Sequence, residues 1–275
     1  MKRIQEYIKD VVLILTNKHR SVGEKARLFY YYTKISVLNF LNNKIINPKE
    51  VTFLSFKVRF VSFSEFFMLV REIFVYEPYY FNSEKENPLV FDCGGNIGLA
   101  TLYFKFLYPK ARIVVFEPVP DIYKILKKNI EINNLSSVEV HNLALSDKES
   151  EDYIYVRDSM TLASTMSKEE AHGGKKIKIN TSTLSKFINT EVDFLKMDIQ
   201  LSEYRSISDL AKNGVLRNIK EAIIEFHYLF GYKENLFSKV LEIFEENSMH
   251  YKVSFNGEKP GMFITYLVRF FRQPK

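Results

Sequence analysis

Between Leu89 and Gly98 the chain reads LVFDCGGNIG. An apolar run stops at an acid, Asp92, and glycines follow at positions 94, 95 and 98. A helical pattern then begins with Leu99, Leu102, Tyr103 and Phe106. Strand, glycine turn and helix together let a backbone approach a nucleotide-like ligand, because glycine has no Cβ and tolerates φ > 0. The spacing decides which ligand. A pyrophosphate-binding G-x-G-x-x-G fails in both frames: from Gly94 the next positions hold Asn96 and Leu99, and from Gly95 they hold Ile97 and Ala100. The frame that does fit is D-x-G-x-N-x-G, carried by Asp92, Gly94, Asn96 and Gly98. A pyrophosphate calls for backbone N–H groups and a helix N-terminus. An acid at the strand end suits an ammonium group, met directly or through water.

Four further positions extend this pattern. Glu117 ends the apolar segment RIVVFEP, one strand-helix-strand unit after Asp92, where an acid can accept hydrogen bonds from both hydroxyls of a ribose. In HNLALSD, Ala144 and Leu145 are placed to pack on a purine face, with Ser146 or Asp147 near its amino group. In FLKMDIQLSE, Lys196 and Asp198 share one strand face, and Asp198 projects from the carboxyl edge of the sheet, where open α/β sheets bind ligands. In AIIEFH, Glu225 and His227 are two apart at a strand end. A neutral His there is a natural general base for a hydroxyl nucleophile, and a structural His is the equally weighted alternative. Asp198 and His227 are therefore the candidate catalytic pair, with His227 favoured as base.

The elements that must position these residues alternate from residue 89 onward. Strands are expected at Leu89–Asp92, Arg112–Glu117, Val138–Leu143, Phe194–Asp198, Ala222–Phe226, Tyr251–Phe255 and Phe263–Phe270. Helices are expected at Leu99–Leu107, Ile122–Asn133, Glu203–Asn213 and Asn235–Asn247. Such alternation predicts an α/β fold: a mostly parallel seven-stranded sheet with helices on both faces. Between Asp147 and Lys186 the rhythm breaks. Two short strands, Asp152–Val156 and Lys176–Asn180, flank a polar loop containing Gly173-Gly174, which reads as an antiparallel insertion with a mobile binding loop. Residues 1–88 form an N-terminal extension and residues 89–275 the main domain. The extension opens with two helices over residues 1–45, followed by a turn at Asn47-Pro48-Lys49. One or two strands then fall within Val51–Phe63, and a helix over Glu65–Val75 is capped by Ser64 and stopped by Pro78.

Composition limits the partners. The formal charge of +6 over 275 residues permits an acidic substrate or a membrane surface, but the basic residues are scattered rather than arranged in the stripe that nucleic acid requires. Cys93 is the only cysteine, which rules out an internal disulfide and a multi-cysteine metal site and fits a reducing, cytoplasmic setting. No other grouping in the sequence compels a metal. There is no run of 18 apolar residues, and Gln5, Glu6, Lys9 and Asp10 interrupt any signal-peptide core. The N-terminal helices are expected to pack on the main domain or on a second copy in a homo-oligomer. Peripheral membrane contact is the sharper alternative and calls for a more basic polar face.

Together these residues resemble the FkbM family of S-adenosylmethionine-dependent methyltransferases, from about Glu65 to His227. EIFVYEPY is similar to the family's lead-in, VFDCGGNIGLATLYF to its glycine motif with Gly95 where Ala is commoner, and VVFEPVPDIYKILKKNIEINNL to its acid-Pro turn and following helix. HNLALSDKE and FLKMDIQLSE resemble the later motifs. The resemblance implies a Rossmann-like class I methyltransferase fold, S-adenosylmethionine as cofactor, and O-methylation of a sugar, glycolipid or related natural product. It implies a cofactor site at Asp92, Gly94, Asn96, Gly98, Glu117, Ala144, Leu145 and Asp198. The family's D-x-E-G-x-E run departs here to Asp198-Ile199-Gln200-Leu201-Ser202-Glu203. Gln200 cannot act as a base and Leu201 adds bulk where a close approach is expected, so a non-catalytic S-adenosylmethionine-binding or scaffolding protein is the alternative reading. An NAD-dependent oxidoreductase is disfavoured by the failed glycine spacing.

Overall fold

A computed structural model of the chain describes residues 2–41, 48–157, 160–165, 175–229, 236–256 and 263–272. The central sheet has seven strands: β3 (Leu89–Cys93), β4 (Arg112–Phe116), β5 (Val138–His141), β10 (Phe194–Met197), β11 (Glu221–Leu229), β12 (His250–Asn256) and β13 (Phe263–Phe271). Their spatial order is β12-β13-β11-β10-β3-β4-β5. The five strands from β11 to β5 run parallel. β13 is antiparallel to both β11 and β12 and finishes that edge.

Alternation along the strands feeds two cores. Val90, Ile113 and Val115 point to one face with Leu102 and Leu126, from α4 (Leu99–Leu107) and α5 (Pro120–Ile132). Phe91, Phe116 and Met197 point to the other with Ile207 and Phe244, from α6 (Glu203–Lys212) and α7 (Phe237–Glu246). This is the expected α/β arrangement with helices on both faces. α4 keeps its expected bounds and the other helices start or stop within two residues of theirs. Asn235, the expected start of α7, lies outside the described residues, as does Asn47 of the expected turn.

The N-terminal extension comprises α1 (Lys2–Thr16), α2 (Val22–Leu41), the hairpin β1 (Glu50–Phe53) and β2 (Phe56–Arg59), and α3 (Phe63–Val70). Its aromatic side chains pack on α4. Phe53 meets Phe74 with ring centroids 5.1 Å apart, and Phe74 meets Tyr103 of α4 at 5.2 Å. The helix cap is Ser62 and not Ser64. Ser62 is extended and accepts from the Glu65 N–H, a Ser-x-x-Glu spacing that leaves Ser64 inside the first turn. Beyond Val70 the helix widens into a π-helical turn, Arg71–Tyr76, and Glu77 leaves it with φ 51°.

The insertion is larger than expected. β7 (Ser150–Arg157) and β9 (Lys175–Thr183) correspond to the two expected strands, and β6 (Ala144–Ser146) and β8 (Met160–Thr165) join them in the order β6-β9-β7-β8. β6 has only three residues and β8, MTLAST, shows no apolar alternation, so neither carries a strand signal in sequence. Most of the expected mobile loop, with Gly173-Gly174, lies outside the described residues.

Candidate active site

The glycine turn closes against two strands at once. Gly94 and Gly95 donate their N–H groups to the Phe116 carbonyl at 3.0 and 2.8 Å, and Asp198 donates its N–H to the Cys93 carbonyl at 3.0 Å. Gly94 (φ 88°) and Gly98 (φ 90°) are left-handed, and Asn96 joins them with φ 47°. A Cβ on Gly94 would overlap the Asp198 carbonyl, and one on Gly95 would overlap Val115. The glycine at 95 is thus matched to a β-branched neighbour in β4.

Glu117 follows β4 and is buried. Its Oε2 accepts the Asn96 N–H and its Oε1 the Val119 N–H, both at 2.9 Å. Each carboxylate oxygen keeps a further lone pair, enough for a pair of ribose hydroxyls. Burial outweighs the two backbone donors and pushes the Glu117 carboxyl up to about 7.

Asp92 does not line the cavity. It is fully buried, with Oδ2 accepting from the Thr101 hydroxyl at 2.7 Å and Oδ1 3.4 Å from Lys196 Nζ. The ammonium group that this acid meets in the structure is the protein's own Lys196, where the sequence predicts a ligand ammonium met directly or through water. Lys196 also donates to the Gly94 carbonyl at 2.6 Å. Burial opposes its charge, but Asp92, Asp198 and Glu225 outweigh that and hold its pKa above the usual lysine range.

Above this pair lies a cavity of about 170 Å³, lined by Leu69, Glu72, Ile73 and Tyr79 from the N-terminal extension, by Gly94, Gly95, Asn96, Leu99 and Ala100 from the glycine turn and α4, and by Lys196, Asp198, Gln200 and Glu225 from the strand ends. Three carboxyl groups thus face one small space. Burial, then Asp198 and Glu72, push the Glu225 carboxyl up to about 8. Burial and Asp198 raise Glu72 as well. Tyr79 is buried and donates its hydroxyl to Glu225. Excess negative potential in a confined site favours a cationic ligand, whose arrival returns these carboxyls toward their ordinary range.

His227 stands behind Gln200. Its Nδ1 lies 2.8 Å from Glu203 Oε1, and its Nε2 lies 3.0 Å from Gln200 Nε2 and 3.7 Å from Asp198 Oδ1. Burial pulls its pKa down, but Glu203, Asp198 and Glu225 outweigh burial and raise it to about 9. These carboxylates favour the protonated ring, where the sequence predicts a neutral one. Ligand atoms of Asp198, Glu225 and His227 lie within 4.8 Å of one another, a carboxylate-carboxylate-imidazole set able to hold a divalent cation. The sequence shows no such set, because the residues come from two separate strand ends.

Of the expected cofactor residues, Gly94, Asn96 and Asp198 line the cavity and Glu117 borders it through Asn96. Ala144 and Leu145 are buried in β6 and do not line it. Leu145 is instead fixed by the Ser202 hydroxyl on its carbonyl. Glu72 and Tyr79 were not legible as site residues. Both lie in the lead-in EIFVYEPY, and the Glu77-Pro78 break that swings Tyr79 toward β11 is the one local signal. Gln200 and Leu201 follow β10 with φ 52° and 74°. That left-handed pair accounts for glycine in the second position of the related motif, since a Leu there is strained.

Residues 92–253 match the family described as the Methyltransferase FkbM domain, well over half of the chain. The chain belongs to the FkbM methyltransferase family. Among FkbM-like and other methyltransferase relatives, Methyltransferase 1 of Beauveria bassiana (strain ARSEF 2860) is 26% identical over 155 residues, covering 48% of this chain and 62% of its own length. Methyltransferase sdnD of Sordaria araneosa is 40% identical over 79 residues, covering 28% of this chain and 30% of its own. The chain thus spans less than two thirds of either relative. A solved Methyltransferase FkbM from Methylobacillus flagellatus KT is 15% identical with a TM-score of 0.48, over 74% of this chain and 53% of that one.

Proposed function

We propose that this FkbM-family methyltransferase moves the methyl group of S-adenosylmethionine to a hydroxyl of a sugar, glycolipid or related natural product. The observation that carries the reading is the cavity in which Glu72, Asp198 and Glu225 converge beside the glycine turn. The sulfonium and α-ammonium of S-adenosylmethionine are the cationic groups such a cavity favours, and Glu117 is the acid for its ribose hydroxyls. The acceptor enters against Asp198, the carboxylate that lines the cavity at the strand end. Methyl transfer is an in-line displacement at a carbon already activated by the sulfonium, so the protein's tasks are to orient the hydroxyl and to receive its proton. Asp198 accepts the hydroxyl hydrogen. His227 is the second proton site of the pair, and a sulfonium in the cavity lowers its pKa from about 9 toward neutrality.

The test is release of S-adenosylhomocysteine by the purified protein with a panel of hydroxylated acceptors, beside calorimetry with S-adenosylmethionine. Cofactor binding with no product from any acceptor favours the non-catalytic alternative, and absence of cofactor binding removes the proposal.

Gly94→Ala is expected to weaken S-adenosylmethionine binding by at least about tenfold, because its methyl group overlaps the Asp198 carbonyl at a φ of 88° that L residues rarely adopt. Isothermal titration against the parent protein measures it. For Glu117 the sign is set by its raised pKa of about 7. Between the ordinary carboxylate range and pH 7 the folded protein holds a proton that the unfolded chain has lost, so this group's contribution to stability declines as pH rises through that window. Ribose hydrogen bonds need the carboxylate, so cofactor affinity is expected to rise about tenfold from pH 6 to pH 8, with proton release on binding. Glu117→Gln should flatten that dependence. A pH-independent affinity in the parent protein would sink the assignment.

A further inference from the structure

The N-terminal hairpin presents its apolar residues to solvent. Nine of the fifteen large hydrophobic side chains exposed among the described residues lie in α1, α2 and their connection, so the exposure is concentrated and not scattered. On α1 they are Ile4, Ile8, Val12 and Leu15, between 51% and 65% exposed and spaced to form one stripe. On α2 Tyr30 and Val37 are 61% and 53% exposed.

The inward side of α1 carries Ile14, buried in the core, and beside it a polar anchor. Asp10 is 1% exposed, and its carboxylate is held by Arg71 at 2.7 Å and by the hydroxyls of Tyr32 and Tyr76. A helix that serves only to cover a core turns its apolar residues inward and its acid outward. In α1 Ile14 is turned inward, but Asp10 is buried with it and a second apolar stripe remains outside.

Charge selects the occupant. Residues 1–41 hold eight Lys and Arg against three Asp and Glu, so most of the chain's +6 sits in this hairpin. Folding makes its exterior more basic than the sequence of α1 indicates. Asp10 is neutralised by Arg71, while Arg3, Lys9, Lys18, Arg27 and Lys34 stay exposed. A second copy docking through the same face would set like charges together. An anionic bilayer accepts both features: the stripe enters the boundary between headgroups and acyl chains, and the basic residues meet lipid phosphates.

We propose that the α1–α2 hairpin docks the protein on an anionic phospholipid bilayer, with Ile4, Ile8, Val12 and Leu15 as the inserting stripe. The inference stands apart from the methyl acceptor and from the cofactor site.

The experiment is co-sedimentation of the full chain with vesicles of phosphatidylcholine and phosphatidylglycerol at a 70:30 ratio, against vesicles of phosphatidylcholine alone. Binding is expected to the first, to fall at least about tenfold on the second, and to weaken with salt. Ile8→Ser with Val12→Ser should reduce binding at least about tenfold while leaving thermal unfolding in place, because both residues lie at the solvent face. Lys9→Glu with Lys34→Glu is the charge counterpart and keeps the stripe intact; it should lower binding to the mixed vesicles several-fold. The proposal is overturned if the parent protein fails to sediment with the mixed vesicles or binds both kinds equally. It is overturned as well if both double variants bind like the parent. A dimer of the parent in solution that Ile8→Ser with Val12→Ser converts to monomer, without vesicle binding, assigns the face to a second copy instead.

Discussion

Asp198→Asn is expected to lower methyl transfer by about 10²–10⁴-fold, a larger effect than the weakening of S-adenosylmethionine binding that loss of one cavity carboxylate brings. The substitution keeps the shape of the side chain and the backbone N–H that Asp198 donates to the Cys93 carbonyl. What it removes is the carboxylate that lines the cavity and can accept the acceptor's hydroxyl hydrogen. It also removes one of the charges that raise His227 and Glu225, so the pH–rate profile should move to lower pH as turnover falls. Single-turnover rates and calorimetry separate the two effects. Parent-like turnover in both Asp198→Asn and His227→Gln would overturn the assignment of this pair to proton transfer.

Lys196→Met should destabilise the fold by about 3–5 kcal/mol, because it strands the Asp92 carboxylate in the protein interior. Lys196 Nζ lies 3.4 Å from that carboxylate and also satisfies the carbonyl of Gly94 at 2.6 Å, so a single side chain ties β10 to the end of β3 and to the glycine turn. At about 2–4 °C per kcal/mol for a domain of this size, the melting temperature should fall by roughly 10 °C. The cause is separable by a double-mutant cycle. Lys196→Met combined with Asp92→Asn removes the stranded charge and should recover part of the loss. A Lys196→Met protein melting with the parent would show that the pair contributes nothing.

Much of this architecture is legible in the chain because local pattern and tertiary role agree. LVFDC and RIVVF are apolar runs buried on both faces, and α4 begins at the residue after Gly98 because that glycine supplies the left-handed turn. Sequence reasoning fails where a partner arrives from far away. Asp92 reads as a ligand for a cation because nothing near it in sequence reveals Lys196, 104 positions later, as its partner. His227 reads as neutral because Glu203 and Asp198, which raise it, belong to a different strand-helix unit. Ser64 reads as the cap because it directly precedes Glu65, and only the placed first turn shows Ser62 in that role. The departure at Gln200 and Leu201 is visible in the residues, but the left-handed backbone that makes Leu unfavourable there is not.

The position of Cys93 has a practical consequence. It is the protein's only thiol, lies fully buried at the end of β3, and is held by burial and by Asp92 well above the usual thiol range. A soluble thiol reagent can reach it only when β3 parts from β4 and β10. The rate of its modification is therefore a built-in clock for the opening of the sheet centre. The slowing of that clock as ligand is added reads out how tightly any candidate cofactor holds the structure closed, without label or mutation.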